Sequence, residues 1–255
     1  MNNTMKHQEE WDFDMCNVDN IIGSFRVDLS LAKVAPVAGK PNLVWVGVEM
    51  QNAREDGLSS DAESQTLYAI EDELVARFLS NHNAVLAGIL TSNFERVFYF
   101  YLADATDFYQ KFVLPSFAKF PDYKFYSDTK EDKDWEHYFD FLYPSPDIHQ
   151  RMMNRRVIRN LQNAGDNLNK ERMVDHFLYF KNEQDMNAYI LEIEKQNFQI
   201  LKKGFNEDRN EFTLNIGRVD KVDYESVDDY VLYLCKLAGN HNGSYDGWGC
   251  TIEKD

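Results

Sequence analysis

Cysteine is scarce in this chain: three in 255 residues, at Cys16, Cys235 and Cys250. An odd count, wide spacing and no Cys-x-x-Cys pair argue against a disulfide framework and against a thiolate metal site. They point to reduced thiols in a cytoplasmic protein. Cys235, set among Leu232, Leu234 and Leu237, is expected as a small core residue. Long apolar runs are missing too. No segment approaches the roughly 18 apolar residues of a membrane span. Met1 to Glu10 is polar and reads as no signal peptide. The sequons at Asn2 and Asn242 therefore carry no weight. Basic residues are few, 27 Lys and Arg against 43 Asp and Glu, for a net charge of −16. Such a balance disfavours non-specific nucleic-acid binding and docking on anionic membrane. It favours a basic partner, or plain solubility. The nucleophile elbow, the phosphate-binding loop and the dinucleotide fingerprint are all missing, as are His-x-x-x-His and His-Glu-x-x-His spacings. No cofactor or metal is expected.

What is present suffices for a core: 44% hydrophobic and 14% aromatic residues. At this length one large or two ordinary domains are expected. Charge suggests two. Residues 1–147 hold 12 basic against 25 acidic side chains, while residues 148–255 hold 15 against 18.

Trp11 to Cys16 and Ser24 to Leu29 alternate and predict two strands joined by a turn over Asn17 to Gly23. Leu43 to Met50 is a continuous apolar run, read as a central strand. Ser60 with Glu63 forms a capping box, opening a helix that carries Leu67, Ile70, Leu74 and Phe78 and ends at Asn81 to Asn83. Ala84 to Thr91 and Glu95 to Leu102 read as a hairpin. Asp104 can cap a second helix with Phe108, Phe112 and Phe117 on its face, which Pro115 should kink or shorten. Pro121 to Ser127 is expected as the last strand and Asp128 to Asp134 as a surface loop. After the extra hairpin the order is strand, helix, strand, strand, helix, strand, which is the order of a ferredoxin-like sandwich. Trp135 to Tyr143 is too aromatic for a free linker and is expected to pack between two units. Pro144-Ser145-Pro146 opens a helix running to about Ala164. The same six-element order then repeats: Val174 to Phe180, a helix capped by Asn182, Phe198 to Lys202, Asn210 to Val219, a helix from Ser226, and a closing strand after Gly243. The expected fold class is α+β, two tandem ferredoxin-like α/β sandwiches, each an antiparallel sheet with helices on one face. The expected domains are 1–147 and 148–255.

Three groups of residues are candidates for function. Arg151, Arg155 and Arg159 recur every four residues along one helix face, with Arg156 beside them. Guanidiniums in a row suit phosphate or carboxylate. The alternative is that acidic residues of the first domain answer them. In the terminal strand, alternation sets Asp246, Trp248, Cys250 and Ile252 on one face and Tyr245, Gly247, Gly249 and Thr251 on the other. Gly247 and Gly249 are expected to admit a close neighbour in a tightly packed terminal strand; the functional alternative is that Asp246 and Trp248 form part of a recognition surface. His137 with Asp140, Asp175 with His176, and the isolated His82, His149 and His241 are the acid–base candidates, with packing roles as the alternative. Tyr99, Phe100 and Tyr101 could stack bases, but their acidic flanks favour a half-buried aromatic strand.

Leu234-Cys235-Lys236-Leu237-Ala238 followed by Ser244-Tyr245-Asp246-Gly247-Trp248-Gly249 resembles the end of the family of regulators of ribonuclease E activity B. The similarity covers roughly residues 150–255 and is sharpest over the last 20 or so. Arg54 to Ser60 and Phe120 to Tyr123 resemble an uncharacterised bacterial domain often joined to that regulator domain. The resemblance implies protein inhibitors that bind an RNA-degrading endonuclease without being enzymes, on a ferredoxin-like fold. The expectation is therefore a cytoplasmic, non-enzymatic regulator or adaptor whose partner is a protein, the resemblance pointing to an endoribonuclease. The rivals are an enzyme with an interdomain cleft of His137, Asp140, His176 and the arginines, and a direct RNA binder through Arg151, Arg155, Arg156 and Arg159.

Overall fold

The computed structural model describes residues 8–18, 20–80 and 84–254. The helix end expected at Asn81 to Asn83, with His82, falls outside them. The chain divides into two compact units between Ser145 and Pro146.

The first unit holds β1 (Trp11–Val18), β2 (Ile21–Asp28), β3 (Asn42–Glu49), α1 (Asp61–Phe78), β4 (Ala84–Ser92), β5 (Glu95–Leu102), α2 (Leu114–Phe117) and β6 (Phe125–Glu131). Its antiparallel sheet runs β1-β2-β4-β5-β3-β6. The last four strands in that row have the ferredoxin-like order, and the β1–β2 hairpin lengthens the sheet beyond β4. One face packs on α1 through Leu67, Ile70, Leu74 and Phe78, which meet Val44, Val46, Phe98 and Phe100. The Phe78 and Phe100 rings stack at 4.2 Å. Burying each such side chain contributes about 1.5–3 kcal/mol.

Ser60 caps α1 by accepting from the Glu63 amide. Glu63 does not reach back to the cap, as a full capping box would have it. Its carboxylate, 2% exposed, accepts from the amides of Gln51 and Asn52 and from the Tyr123 hydroxyl. It pins the loop that precedes the helix rather than the helix alone.

Further expectations are corrected in this unit. The last strand begins at Phe125, not Pro121, and continues through Glu131 into the segment expected as a loop. β6 is an edge strand, and an edge tolerates and uses charge such as Asp128, Lys130 and Glu131. The aromatic segment after it does not wait for the second unit. Trp135 and Tyr138 are fully buried inside the first. Trp135 stacks on Tyr101 at 3.8 Å and donates to the Lys40 carbonyl. The Tyr138 hydroxyl donates to the Asp28 carbonyl. A helical turn, Tyr138–Leu142, thus covers part of the sheet face opposite α1, so this sheet is not covered on one face only.

The second unit holds α3 (Pro146–Asn163), β7 (Arg172–Phe180), α4 (Glu183–Ile193), β8 (Gln199–Asn206), β9 (Glu211–Asp220), α5 (Tyr224–Asn240) and β10 (Gly243–Cys250). The sheet order is β10-β7-β9-β8, again ferredoxin-like and antiparallel. Asn182 caps α4 by accepting from the Asp185 amide. Asp223, three residues ahead of Ser226, caps α5. Met186, Tyr189, Ile190 and Ile193 of α4 pack with Leu234, Leu237 and Ala238 of α5 over Leu178 and Leu214. A buried Arg172–Asp166 ion pair ties β7 to the end of α3, and Asp166 also accepts from the Glu253 amide.

Candidate functional site

The candidate site lies within the second unit, where α3 runs beside the edge strand β10. A cavity of about 530 Å³ opens there, lined among others by Met153, Arg156, Val157, Phe177, Asp246 and Trp248. The helical period sets Met153, Arg156 and Val157 on one face. Arg151, Arg155 and Arg159 run on a neighbouring stripe. Arg156 alone of the four arginines lines the cavity.

The arginine stripe is partly answered from within its own unit. Arg151 lies 3.8 Å from Asp228 of α5, and Arg155, Arg156 and Arg159 also engage other groups. Arg151 and Arg159 are exposed; Arg155 and Arg156 are half-buried.

The terminal strand departs from simple alternation. Tyr245 pairs with Leu178 and Gly247 with Phe177, so Asp246 is an extra residue in a bulge. A bulge resets which side each later residue faces. Tyr245 and Trp248 consequently share the core side, and the expectation that Asp246 and Trp248 share a face is corrected. Trp248 is 8% exposed and packs with Ile158, Val174, Val227 and Val231. Asp246 projects to solvent and accepts from the Tyr179 hydroxyl at 3.2 Å. Neighbouring Asp246 raises the Tyr179 pKa. Nor do the two glycines admit a close neighbour, since nothing lies within 4 Å of a Cβ placed on Gly247 or Gly249. What Gly247 supplies is its φ of +130°, a backbone state that the bulge requires and side chains disfavour.

A buried polar node fixes the floor of the cavity. Trp248 Nε1 donates to Asn154 Oδ1, Asn154 Nδ2 donates to Asp228 Oδ1 at 2.8 Å, and Gln150 Nε2 donates to Asn154 Oδ1 at 3.1 Å. Asn154 is fully buried. Asn154, Met153, Val157 and Phe177 were not among the residues expected to act. The available signal was a polar residue on the apolar stripe of α3, between Gln150 and Ile158.

The acid–base candidates each have their own surroundings within one unit. His176 is buried in the second unit's core, its Nδ1 2.8 Å from the Tyr245 hydroxyl. Burial, with Arg218 nearby, pushes its pKa down to about 3. His137 belongs to the first unit, tilted on Tyr99 and stacked on Phe141. Burial and Lys130 push its pKa down to about 4. Asp140 is exposed. His241 lies 3.4 Å from Glu192, and His149 lines the α3–β10 cavity. Among the described residues no group of three or more His, Cys, Asp or Glu is placed to hold a metal ion. The thiols are free, and burial raises the pKa of all three, that of Cys235 to about 12.

Residues 9–143, more than half of the chain, match the model described as Family of unknown function (DUF695). The chain belongs to that family. Residues 151–250 match the model described as Regulator of ribonuclease activity B. The α3–β10 cavity falls in this regulator segment, apart from His149 and Gln150 on its rim. No curated protein matches the chain. A crystal structure of an unknown protein from Galdieria sulphuraria shows 9% identity and a TM-score of 0.23, covering 84% of this chain and 99% of that one. A putative glycine cleavage system transcriptional repressor shows 9% identity and a TM-score of 0.24, covering 82% and 98%. Likenesses this slight say nothing about function. No helix among the described residues is long and apolar enough to cross a membrane.

Proposed function

We propose that this protein is a cytoplasmic, non-enzymatic regulator that docks on a ribonuclease through the α3–β10 cavity of its second unit. The observation that carries this reading is the cavity itself: an apolar floor of Met153, Val157 and Trp248, bordered by Arg156 and Asp246, inside the segment that matches the regulator family. Apolar anchors with charges of both signs suit a protein segment, because pockets supply binding energy and rim charges supply register. Trp248 contributes through the position of its buried ring and Asp246 through its exposed carboxylate. The acidic surplus of residues 1–147 favours encounter with a basic partner surface and makes the association salt-sensitive.

The test is RNA cleavage by a purified endoribonuclease of the ribonuclease E type, with and without the full chain. Slower cleavage and a sedimenting complex at low salt are expected. Arg156→Glu combined with Asp246→Lys should weaken both effects at least tenfold, which corresponds to about 1.4 kcal/mol. Unchanged cleavage and no complex at excess protein would overturn the proposal.

A further inference from the structure

The first unit contains a second cavity, of about 350 Å³, lined in part by Phe13, Arg26, Tyr68, Glu71, Thr91 and Arg96. It lies where the β1–β2 hairpin carries the sheet beyond β4 and α1 borders one side. Four arginines occur in residues 1–147, and two of them line this one cavity. In a segment with 25 acidic side chains, such clustering sets the cavity apart from its surroundings.

Arg96 is 7% exposed. Its Nε donates to Thr91 Oγ1 at 3.0 Å, and its Nη2 lies 3.5 Å from Ser59 Oγ. Both partners are neutral hydroxyls. Its Nη1 is buried and has no hydrogen-bond partner. A buried guanidinium with neutral hydrogen-bond partners and an unmade bond is costly, since its desolvation is not fully met. Arg26 shows the same feature. It pairs with Glu71 through Nη2, while its Nε is buried without a partner. Two guanidiniums and one carboxylate, Glu71, line the cavity, and Glu63 acts on Arg96 without lining it. Both arginines retain donors suited to oxygens of an anion, and paired guanidiniums favour phosphate or carboxylate.

Aromatic rings border the same cavity. Tyr68 is 52% and Phe13 53% exposed, and the Arg96 guanidinium stands 5.5 Å from the Tyr68 ring centroid. Exposed rings beside cations offer a stacking surface for a planar group. We infer that this cavity binds a small phosphate monoester carrying a planar ring, of the mononucleotide class, with the phosphate on Arg96 and Arg26 and the ring against Tyr68 and Phe13. No glycine-rich loop announces the site, because its donors are side chains from two separate strands rather than consecutive backbone amides.

The experiment is calorimetric titration of the full chain with adenosine 5′-monophosphate, inorganic phosphate and adenosine, alongside thermal shift. The monophosphate should bind most tightly, phosphate more weakly, and adenosine not measurably. Arg26→Gln, at a half-exposed position that should leave folding intact, is expected to weaken monophosphate binding roughly 10- to 100-fold. Tyr68→Ala should weaken the monophosphate and leave inorganic phosphate unchanged. Arg96→Lys, which keeps the charge but loses the planar fork, provides a second test of the phosphate contact and should weaken both anions. Circular dichroism confirms that each variant is folded. No binding of the monophosphate at millimolar concentration, adenosine binding as tightly as its monophosphate, or affinity indifferent to both arginine changes in folded protein would each overturn the inference.

Discussion

The indole N–H of Trp248 donates to the side-chain carbonyl of Asn154 at 3.2 Å, joining the edge strand of the second sheet to the helix in front of it. Asn154 passes the connection on, donating to Asp228 of α5. One fully buried amide therefore holds three elements in register, and all the side chains around it depend on its two ends being satisfied.

Replacing that amide should be costly for its size. Asn154→Ala leaves the Trp248 N–H and an Asp228 oxygen without their partner and opens a small void. The expected loss is about 1–3 kcal/mol, read as a lower urea midpoint with unchanged slope. An unchanged midpoint would mean that the node contributes nothing to the fold. The proposed docking on a ribonuclease should weaken as well, because Met153, Arg156 and Val157 ride on the same helix.

The first unit has a comparable anchor in Asp132. This carboxylate is 6% exposed and accepts from the Tyr101 hydroxyl at 2.6 Å and from the amides of Glu136 and His137. It holds the aromatic turn on the sheet. Asp132→Ala should cost about 2–3 kcal/mol, in the range for hydrogen bonds to a buried charge. Tyr101→Phe removes the hydroxyl's bond to Asp132 and also the one the hydroxyl accepts from the Tyr138 amide at 3.2 Å, and should cost about 1–2 kcal/mol while leaving the two amide bonds to Asp132 in place. Because Trp135 is fully buried against Tyr101, detachment of the turn should also red-shift tryptophan emission. Unfolding curves followed by fluorescence would record both quantities, and equal small losses for the two variants would count against the anchor.

The sequence made the α+β architecture legible where pattern and packing agree. α1 carries its apolar residues at helical spacing and buries them, and the order of elements within each half leads to the observed strand order. Edges were harder to read. β6 continues into charged residues because an edge strand is paired on one side only and its outward residues need not be apolar. The Trp135 to Tyr143 segment was recognised as apolar, but its target, the Tyr99–Tyr101 face of its own sheet, is not written in local sequence. At the candidate site the arginines and the Tyr-Asp-Gly-Trp-Gly segment were visible, and their geometry was not. A bulge changes side-chain direction without changing composition, so Asp246 and Trp248 parted. Arg26 and Arg96 stand 70 residues apart in number and meet only through strand pairing, which no motif records.

The two glycines of that segment should behave differently. Gly247 has φ +130°, and Gly249 has neither a positive φ nor a neighbour within 4 Å of where a methyl would stand. Gly247→Ala is expected to cost about 1–3 kcal/mol through backbone strain. Gly249→Ala should stay within about 0.5 kcal/mol of the parent. Thermal unfolding of the pair decides this directly. Equal tolerance would show that the bulge can be rebuilt without its glycine, and equal damage would show that Gly249 is constrained by something beyond its own geometry.

Acid should act on the second unit through His176. Burial, with a smaller contribution from Arg218, holds its pKa at about 3, against 6.5 for the unperturbed imidazole. Between those values the unfolded chain takes up a proton that the folded protein refuses. The stability associated with the neutral imidazole is therefore complete above about pH 6.5 and declines as pH falls toward 3. At pH 5 the difference amounts to about 2 kcal/mol, from roughly 1.4 kcal/mol per pH unit. His176→Gln keeps an acceptor within the reach of the Tyr245 hydroxyl and cannot titrate. Its stability should be lower than the parent's at pH 7.5 through altered packing, yet should fall less steeply on the way to pH 5. His137 titrates in both proteins, so the difference between the two slopes isolates His176. Urea unfolding at pH 7.5, 6.0 and 5.0 measures that difference, and parallel curves would show that His176 is not the group that makes this unit acid-sensitive.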